Sequence, residues 1–304
     1  MSVPWTPERA LTATEAGQMI EKQFPELKPV TLQMLGEGFD NSVFLVNHFY
    51  VFRFPRREIA AELIGTENRL LRVLAPELPI SVPNPQFQGI PNEDYPWPFA
   101  GYAMIDGKPP SRLTLEQRLL SAELFARFLR VLHDFPVEEA KSLKIPFDEI
   151  GRMDISIRKP KLEENIVKAL RLNVMDINMS EQIKRLLETV PKDSPDDRKV
   201  LVHGDLHYRN MLVDDAGIVS GVIDWGDTHI GHPAVDLSIA YSYLPPSGRD
   251  LFFREYGEVS DDVKRLARFK AVYTTVLLLL YGHDLHDHDL VNESQKALNI
   301  ALMD

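Results

Sequence analysis

Cysteine is absent from all 304 residues. That excludes disulfides, thiolate zinc sites and cysteine nucleophiles together, and fits a chain made for the reducing cytoplasm, its expected location. Positive charge is in deficit: 34 Lys and Arg stand against 45 Asp and Glu, a net charge of −11. A broad nucleic-acid surface needs a basic footprint, so nucleic acid is not an expected partner. The surplus suits a cationic ligand, although most of it serves solubility. Long apolar runs are missing as well. The longest, Val276–Leu280, is far short of the roughly 20 residues that span a bilayer, so it reads as part of a buried helix and no membrane partner is expected. The opening MSVPWTPERA lacks the charged start and apolar stretch of a signal peptide. There is no repeat and no low-complexity tract, and the length gives a prior of two domains or lobes.

What is present falls into two regimes. Thr12 and Glu15 form a capping-box pattern ahead of a helix ending near Phe24. Short runs rich in Val, Phe and Tyr follow from Val30 to Phe54, punctuated by Gly36, Gly38 and the polar pair Asn47–His48, which predicts a small antiparallel sheet. A helix is expected over Ile59–Leu74, and the prolines between Pro76 and Pro98 predict extended strands and loops. From Leu115 the pattern is mainly helical, with Leu124, Phe128 and Leu132 at core-facing spacing. The segment from Leu201 to Asp224 interrupts the helices. It is dense in His, Asp, Gly and Asn and holds two short apolar runs, Met211–Val213 and Val219–Ile223. Helices resume near Ala234.

The most specific signal is HGDLHYRN, His203 to Asn210, followed by VIDWGD, Val222 to Asp227. Phosphoryl transfer asks little covalent work of a protein. One carboxylate must orient the attacking hydroxyl, and one or two oxygen ligands must hold Mg²⁺ against the phosphates. Asp205 and Asn210 have the five-residue spacing of Asp and Asn in a kinase catalytic loop, and Asp224 lies nineteen residues beyond Asp205 at the end of an apolar run, where the metal-binding Asp of such enzymes sits. A lone Asp in a loop is more often a turn former or a helix cap; the joint pattern carries the reading.

That joint pattern resembles the signature of the aminoglycoside phosphotransferase family, a branch of the protein-kinase-like fold. GEGFDNSVFLV is similar to the family's nucleotide-covering loop and YVFRFPRR to its base-carrying strand. The stretch SVPNPQFQGIPNEDYPWPFAGYAMIDGKPP resembles the aminoglycoside 2″-phosphotransferases in particular. The resemblance runs from about Gly36 to Leu237. It implies an α+β, bilobal fold: a β-rich N-lobe over residues 1–103 and a mainly helical C-lobe over residues 104–304. Asp205 matches the catalytic base, and Asn210 and Asp224 match the Mg²⁺ ligands. His203 matches a structural histidine of the catalytic loop, and Asp236 an Asp that braces it. ATP or GTP is the implied donor. Its site would be formed by Gly36 and Gly38, by Arg53 with Glu67 as partner (Glu58 and Glu62 competing), and by a hinge at Tyr102, Ala103, Met104 and Ile105. Gly204 stands where many protein kinases have Arg, which implies an enzyme that needs no activating phosphorylation.

The sequence departs from the pattern in two places. Asn41 takes the place of the third glycine in the covering loop, and Arg53 replaces the usual Lys of the 2″ enzymes. Arg keeps the charge but offers a planar fork, which can grip phosphate oxygens in pairs. In the C-terminal region, HDLHDHD, His283 to Asp289, lacks an i, i+4 His pair and reads as a solvated helix end or pocket rim before a metal site. The acids there, Asp284, Asp287, Asp289, Glu293 and Asp304, outnumber Lys296, and the first three are the candidate acceptor-binding acids. The leading expectation is a Mg²⁺-dependent kinase for a cationic aminoglycoside hydroxyl. Two alternatives stay open: a kinase of the same fold for a macrolide, an amino alcohol or a sugar, and a catalytically inactive nucleotide-binding module.

Overall fold

A computed structural model describes residues 8–37, 40–191 and 198–304. The chain divides into two compact units, Met1–Asp106 with Asp224–Asp227, and Gly107–Ile223 with Thr228–Asp304. The architecture is α+β, with the sheet in the N-terminal unit and most helices in the C-terminal one.

In the N-terminal unit, helix α1 (Ala13–Gln23) opens on a full capping box. Thr12 Oγ1 accepts the Glu15 N–H at 3.2 Å, and the Glu15 carboxylate accepts the Thr12 N–H at 2.8 Å. Strands β1 (Leu32–Glu37), β2 (Asn41–Val46), β3 (Tyr50–Pro55), β4 (Phe87–Gly89) and β5 (Phe99–Ala103) form one antiparallel sheet, in the order β1-β2-β3-β5-β4. The turn between β2 and β3 places Asn47 and His48 at φ 51° and 63°, a backbone that Asn tolerates better than most residues. Along β2 every second residue is buried (Ser42, Phe44 and Val46), and that face meets Met19 and Ile20 of α1 across Phe52, Phe54, Tyr95 and Phe99. Each large side chain so buried stabilises the unit by about 1.5–3 kcal/mol. Helix α2 (Glu58–Leu74) starts one residue before the expected Ile59 and lies against β3 and β5.

Gly101 shows how tightly this sheet is covered. It faces Phe52 across the β3–β5 pairing, and a Cβ there would lie 2.4 Å from the Phe52 ring. Gly101→Ala should therefore cost about 1–3 kcal/mol, the usual penalty for overfilling a packed core. Thermal denaturation reads the loss; an unchanged Tm would mean that the Phe52 ring gives way freely.

The C-terminal unit begins with α3 (Leu115–Leu119), α4 (Ala122–Asp134), α5 (Val137–Ser142), α6 (Ile155–Arg171) and α7 (Ile177–Thr189). On α4 the buried stripe is Phe125, Phe128, Leu129 and Leu132; Leu124, expected on that face, is only partly covered because it lies at the edge of the stripe. Four short strands follow. β6 (Val200–Val202) pairs with β9 (His229–Gly231), and β7 (Met211–Val213) pairs with β8 (Val219–Val222). The unit closes with α8 (Ala234–Leu237), α9 (Ile239–Ser242), α10 (Pro246–Tyr256), α11 (Asp261–Asp284) and α12 (His288–Leu302). Helix α11 buries residues on most of its circumference, including Val276, Leu279 and Leu280 of the long apolar run. Among the described residues no helix is long and apolar enough to cross a membrane.

Candidate active site

The loop His203–Asn210 leaves the end of β6 and closes on a single 3-10 turn, Tyr208–Asn210. Its start is held from below by Asp236, which is fully buried and accepts the N–H groups of His203 at 2.7 Å and Gly204 at 3.0 Å. His133, also buried, points Nε2 at the same carboxylate at 3.3 Å and Nδ1 at the Tyr256 hydroxyl at 2.7 Å. Burial works against a charge on Asp236; the bond and charge of His133, then His203 and the Gly204 N–H, outweigh it and hold the carboxyl below its ordinary value. Gly204 turns the chain at φ 90°, a conformation that strains any side chain, so the arginine of protein kinases has no place there.

His203 ties this loop to the next segment. Its Nδ1 accepts the Asp205 N–H at 3.3 Å while Nε2 reaches the Ile223 carbonyl at 3.1 Å, which assigns the proton to Nε2. Ile223 in turn donates its N–H to the Asn210 carbonyl at 2.9 Å. Both backbone groups of the residue preceding Asp224 are thus pinned to the loop.

The Asp205 carboxylate is used asymmetrically. Oδ2 accepts from Asn210 Nδ2 at 3.1 Å and from His207 Nε2 at 3.2 Å, and no protein donor reaches Oδ1 among the described residues. His207 Nδ1 accepts the Arg209 N–H at 3.3 Å, which leaves Nε2 as the proton-bearing nitrogen. Burial again opposes the charge on Asp205. The His207 hydrogen bond and, with it, the charge of Lys270 on α11 act the other way, and the carboxyl is held far below its ordinary range, so it stays anionic. Asn210 also donates Nδ2 to the Asp205 carbonyl at 2.9 Å, and its amide oxygen is left free among the described residues.

The N-terminal unit assembles the second set. Arg53, on β3, donates Nη1 to both oxygens of Glu67 on α2, at 2.7 and 2.8 Å, and places Nη2 3.5 Å from Asp224 Oδ1. Arg53 and Glu67 are 11% and 3% exposed, whereas Asp224 is 57% exposed, so the first two form a buried brace and the third keeps oxygen to offer. Burial works against the Arg53 charge; Glu67, Tyr102 and Asp224 more than offset it and raise the guanidinium above its ordinary value. Tyr102, on β5, is pushed up to about 12 by burial, against the pull of Arg53. Asp224 itself sits at φ 64°, uncommon for a residue with a side chain and characteristic of functional loops. Neither Glu58 nor Glu62 pairs with Arg53. Of the hinge residues, Tyr102 is buried and Ala103 and Met104 are exposed. Gly36 lies at an irregularity in β1, and a Cβ on it would meet nothing within 4 Å, so packing does not require glycine there. Gly38 lies outside the described residues.

The three C-terminal acids are each engaged. Asp284 faces Lys168 at 3.3 Å, Asp287 caps α12 by accepting the Leu290 N–H at 2.9 Å, and Asp289 lies 3.7 Å from Arg112. Glu293, counted with them in the sequence, is buried against Arg118 at 2.7 Å. His283 and His286 flank the end of α11, and among the described residues no group of three or more His, Asp and Glu could hold a metal. Mg²⁺ needs no such cage: one or two protein oxygens, with phosphates and water, complete its shell. The free oxygens of Asn210 and Asp224 are hard donors of the right kind.

Sequence reasoning passed over His207 and His133. His207 stands inside the HGDLHYRN run and was visible there, two residues past the carboxylate it contacts. His133 lies 103 residues from Asp236, and nothing local marks it.

The model of the phosphotransferase enzyme family matches residues 31–269. YcbJ of Bacillus subtilis (strain 168), named an uncharacterized protein, is 26% identical over 199 residues, covering 62% of this chain and 61% of its own. An aminoglycoside 3′-phosphotransferase of Streptomyces fradiae is 25% identical over 170 residues, covering 51% and 59%. The chain thus spans about three fifths of the length of these curated relatives. Among solved structures, the GDP and kanamycin complex of APH(2″)-IIIa superposes with a TM-score of 0.67 at 25% identity, covering 93% of this chain and 97% of that one.

Proposed function

Since the chain belongs to the phosphotransferase enzyme family, we propose that it moves the γ-phosphate of ATP or GTP onto a hydroxyl of a small molecule, with Asp205 as the base. The observation that carries this reading is the one-sided use of the Asp205 carboxylate: two donors saturate Oδ2 and leave Oδ1 for the incoming hydroxyl. The hydroxyl oxygen forms a bond to the γ-phosphorus as the bond to the β–γ bridging oxygen breaks. The nucleoside diphosphate leaves, and the hydroxyl proton passes to Asp205. A carboxylate held so strongly anionic is a weak base. Its main contribution is therefore to fix the hydroxyl in line, with proton transfer late in a loose transition state. Asn210 and Asp224 would hold Mg²⁺, which when bound neutralises charge on the β- and γ-phosphates.

In this reading residues 1–103 serve the nucleotide and residues 104–304 the acceptor. Arg53, braced by Glu67, contacts phosphate oxygens. Gly36 and Gly38 cover them, and Tyr102 to Ile105 receive the base. Kanamycin in the APH(2″)-IIIa complex and the Streptomyces fradiae enzyme support an aminoglycoside acceptor, and GDP in the same complex supports a guanine nucleotide as donor. Asp284, Asp287 and Asp289 would have to leave their present partners to serve ammonium groups.

Nucleotide consumption, followed with and without Mg²⁺ across aminoglycosides, macrolides, amino alcohols and sugars, tests the function. No stimulation by any hydroxyl compound would end the kinase reading. Arg53 supplies a sharper check. Arg53→Ala should raise the nucleotide KM and lower kcat, and Arg53→Lys should keep much of the activity, because clamping phosphates needs the charge more than the fork. Unchanged nucleotide kinetics in Arg53→Ala would hand the role to another base, Arg56 or Arg57.

A further inference from the structure

An aminoglycoside brings ammonium groups, yet Asp284, Asp287, Asp289 and Glu293 are each held by the chain itself. One face of α11 offers a different partner. Thr274 and Leu278 line a pocket there with His207 and Tyr208 of the catalytic loop and with Ser238 and Ser242 of α9 and its start. Among the described residues the lining holds no Lys, Arg, Asp or Glu, and the narrow end has room for a group the size of a water molecule. His207 joins the pocket to the chemistry, with Nε2 3.2 Å from Asp205 Oδ2. The same helix face continues to Tyr281, three residues beyond Leu278 and seven beyond Thr274. Tyr281 is 51% exposed, and Leu285, one turn further, is exposed as well. Arg209, in the catalytic loop, sets its guanidinium 5.8 Å from the centre of the Tyr281 ring. Arg209 is itself exposed, and among the described residues no ion pair holds it. The ring face is therefore open to a cation, and the one it carries is free to leave for solvent.

We infer that Tyr281 is an acceptor-binding residue: its ring receives an ammonium group of an amino sugar in the place that Arg209 now holds, while a non-reacting hydroxyl of the same molecule enters the pocket beside it. The inference deepens the proposed function and rests on its aminoglycoside acceptor. The ring quadrupole attracts an ammonium, and the attraction strengthens once the ligand shields it from water. The apolar face of the sugar covers the rest of the ring and Leu285. In the pocket, the hydroxyls of Ser238, Ser242 and Thr274 both donate and accept, which suits a sugar hydroxyl and not a charge. The acceptor is thus held against the loop that carries Asp205.

The test is calorimetric binding of kanamycin and gentamicin to the full chain, its nucleotide site filled with a non-hydrolysable nucleotide. Both should bind, and Tyr281→Leu, which keeps apolar bulk but removes the ring, should weaken them about tenfold, the scale of a shielded cation–π contact. Tyr281→Phe and Tyr281→Trp should bind at least nearly as well as the wild type, because the ring face and not the hydroxyl receives the cation. Nucleotide KM and Tm should not move in any of the three, since the side chain is exposed. Arg209→Gln vacates the ring and should bind both compounds as tightly as the wild type or more so. The inference falls if neither compound binds, or if Tyr281→Leu binds like the wild type, which would leave the ring an apolar floor. It falls too if Tyr281→Phe loses as much as Tyr281→Leu. An Arg209→Gln loss as large as that of Tyr281→Leu would make the pair a brace for the catalytic loop and also overturn it. The two readings fail separately. The expected binding pattern with no phosphate transferred leaves the Tyr281 site standing and removes the kinase reading; transfer to neutral hydroxyl compounds alone does the reverse.

Discussion

Asp205→Asn is expected to fold, to bind nucleotide, and to turn over roughly 10²–10⁴-fold more slowly than the wild type, the range for loss of a positioned proton acceptor. The hydrogen-bond pattern sets this outcome. Oδ2 receives donors from Asn210 and His207, so an asparagine must place its amide oxygen there to keep both bonds. Its amide nitrogen then occupies the Oδ1 side and offers hydrogens where the acceptor hydroxyl needs a lone pair. The variant is close to isosteric and keeps its local partners, so thermal stability should change by no more than about 1 kcal/mol, as for a partly exposed position. Single-turnover measurements separate the chemical step from product release. Because the His207 hydrogen bond and Lys270 hold Asp205 anionic far below neutrality, any acid limb in the wild-type rate between about pH 5 and 7 belongs to another group. Near wild-type turnover in Asp205→Asn would remove it from the chemistry.

Much of this site was legible because its parts are close in sequence. The loop from His203 to Asn210 carries Asp205, its amide partner and its histidine within eight residues, and the spacing that suggested kinase chemistry is also what lets Asn210 reach back to the carbonyl and carboxylate of Asp205. The capping box at Thr12 and Glu15 and the turn at Asn47 and His48 were readable for the same reason: the bonds between Thr12 and Glu15, and the Phe49 N–H to Val46 carbonyl bond that closes the turn, each span three residues. What the sequence hid is long-range. Lys270 stands sixty-five residues beyond Asp205, on a helix whose pattern announces only burial, and no local rule joins its charge to that carboxylate. Charge counting misleads for a related reason. The acids between Asp284 and Glu293 read as a free rim, but a count cannot see Lys168, Arg112 and Arg118, which come from elsewhere in the chain to meet them. Asp224 lies between the two cases: its place after an apolar run marked it, while its left-handed backbone and its grouping with the N-terminal unit needed three dimensions.

Asp236→Asn should be the most damaging substitution to stability, at about 3–5 kcal/mol, the cost of breaking a buried charged network. The carboxylate is fully buried and accepts from three donors: the N–H groups of His203 and Gly204, and His133. An amide offers one acceptor oxygen, and its nitrogen must confront at least one of those donors with hydrogens of its own. At about 2–4 °C per kcal/mol for a chain of this size, Tm should fall by roughly 6–20 °C. The acid dependence should change with it. The Asp236 carboxyl is held below its ordinary value, so its contribution is complete above the unfolded-state pKa and is lost as pH falls through the folded-state value. Wild-type Tm should therefore drop faster than that of Asp236→Asn as the solution is acidified, narrowing the gap between them. Activity in the variant should fall as well, but through the position of the loop: His203 and Gly204 would lose the anchor that sets the direction of Asp205. A structural brace of this kind should lower kcat and Tm together, and a variant that lost activity at unchanged Tm across pH would instead place Asp236 in contact with the reacting groups.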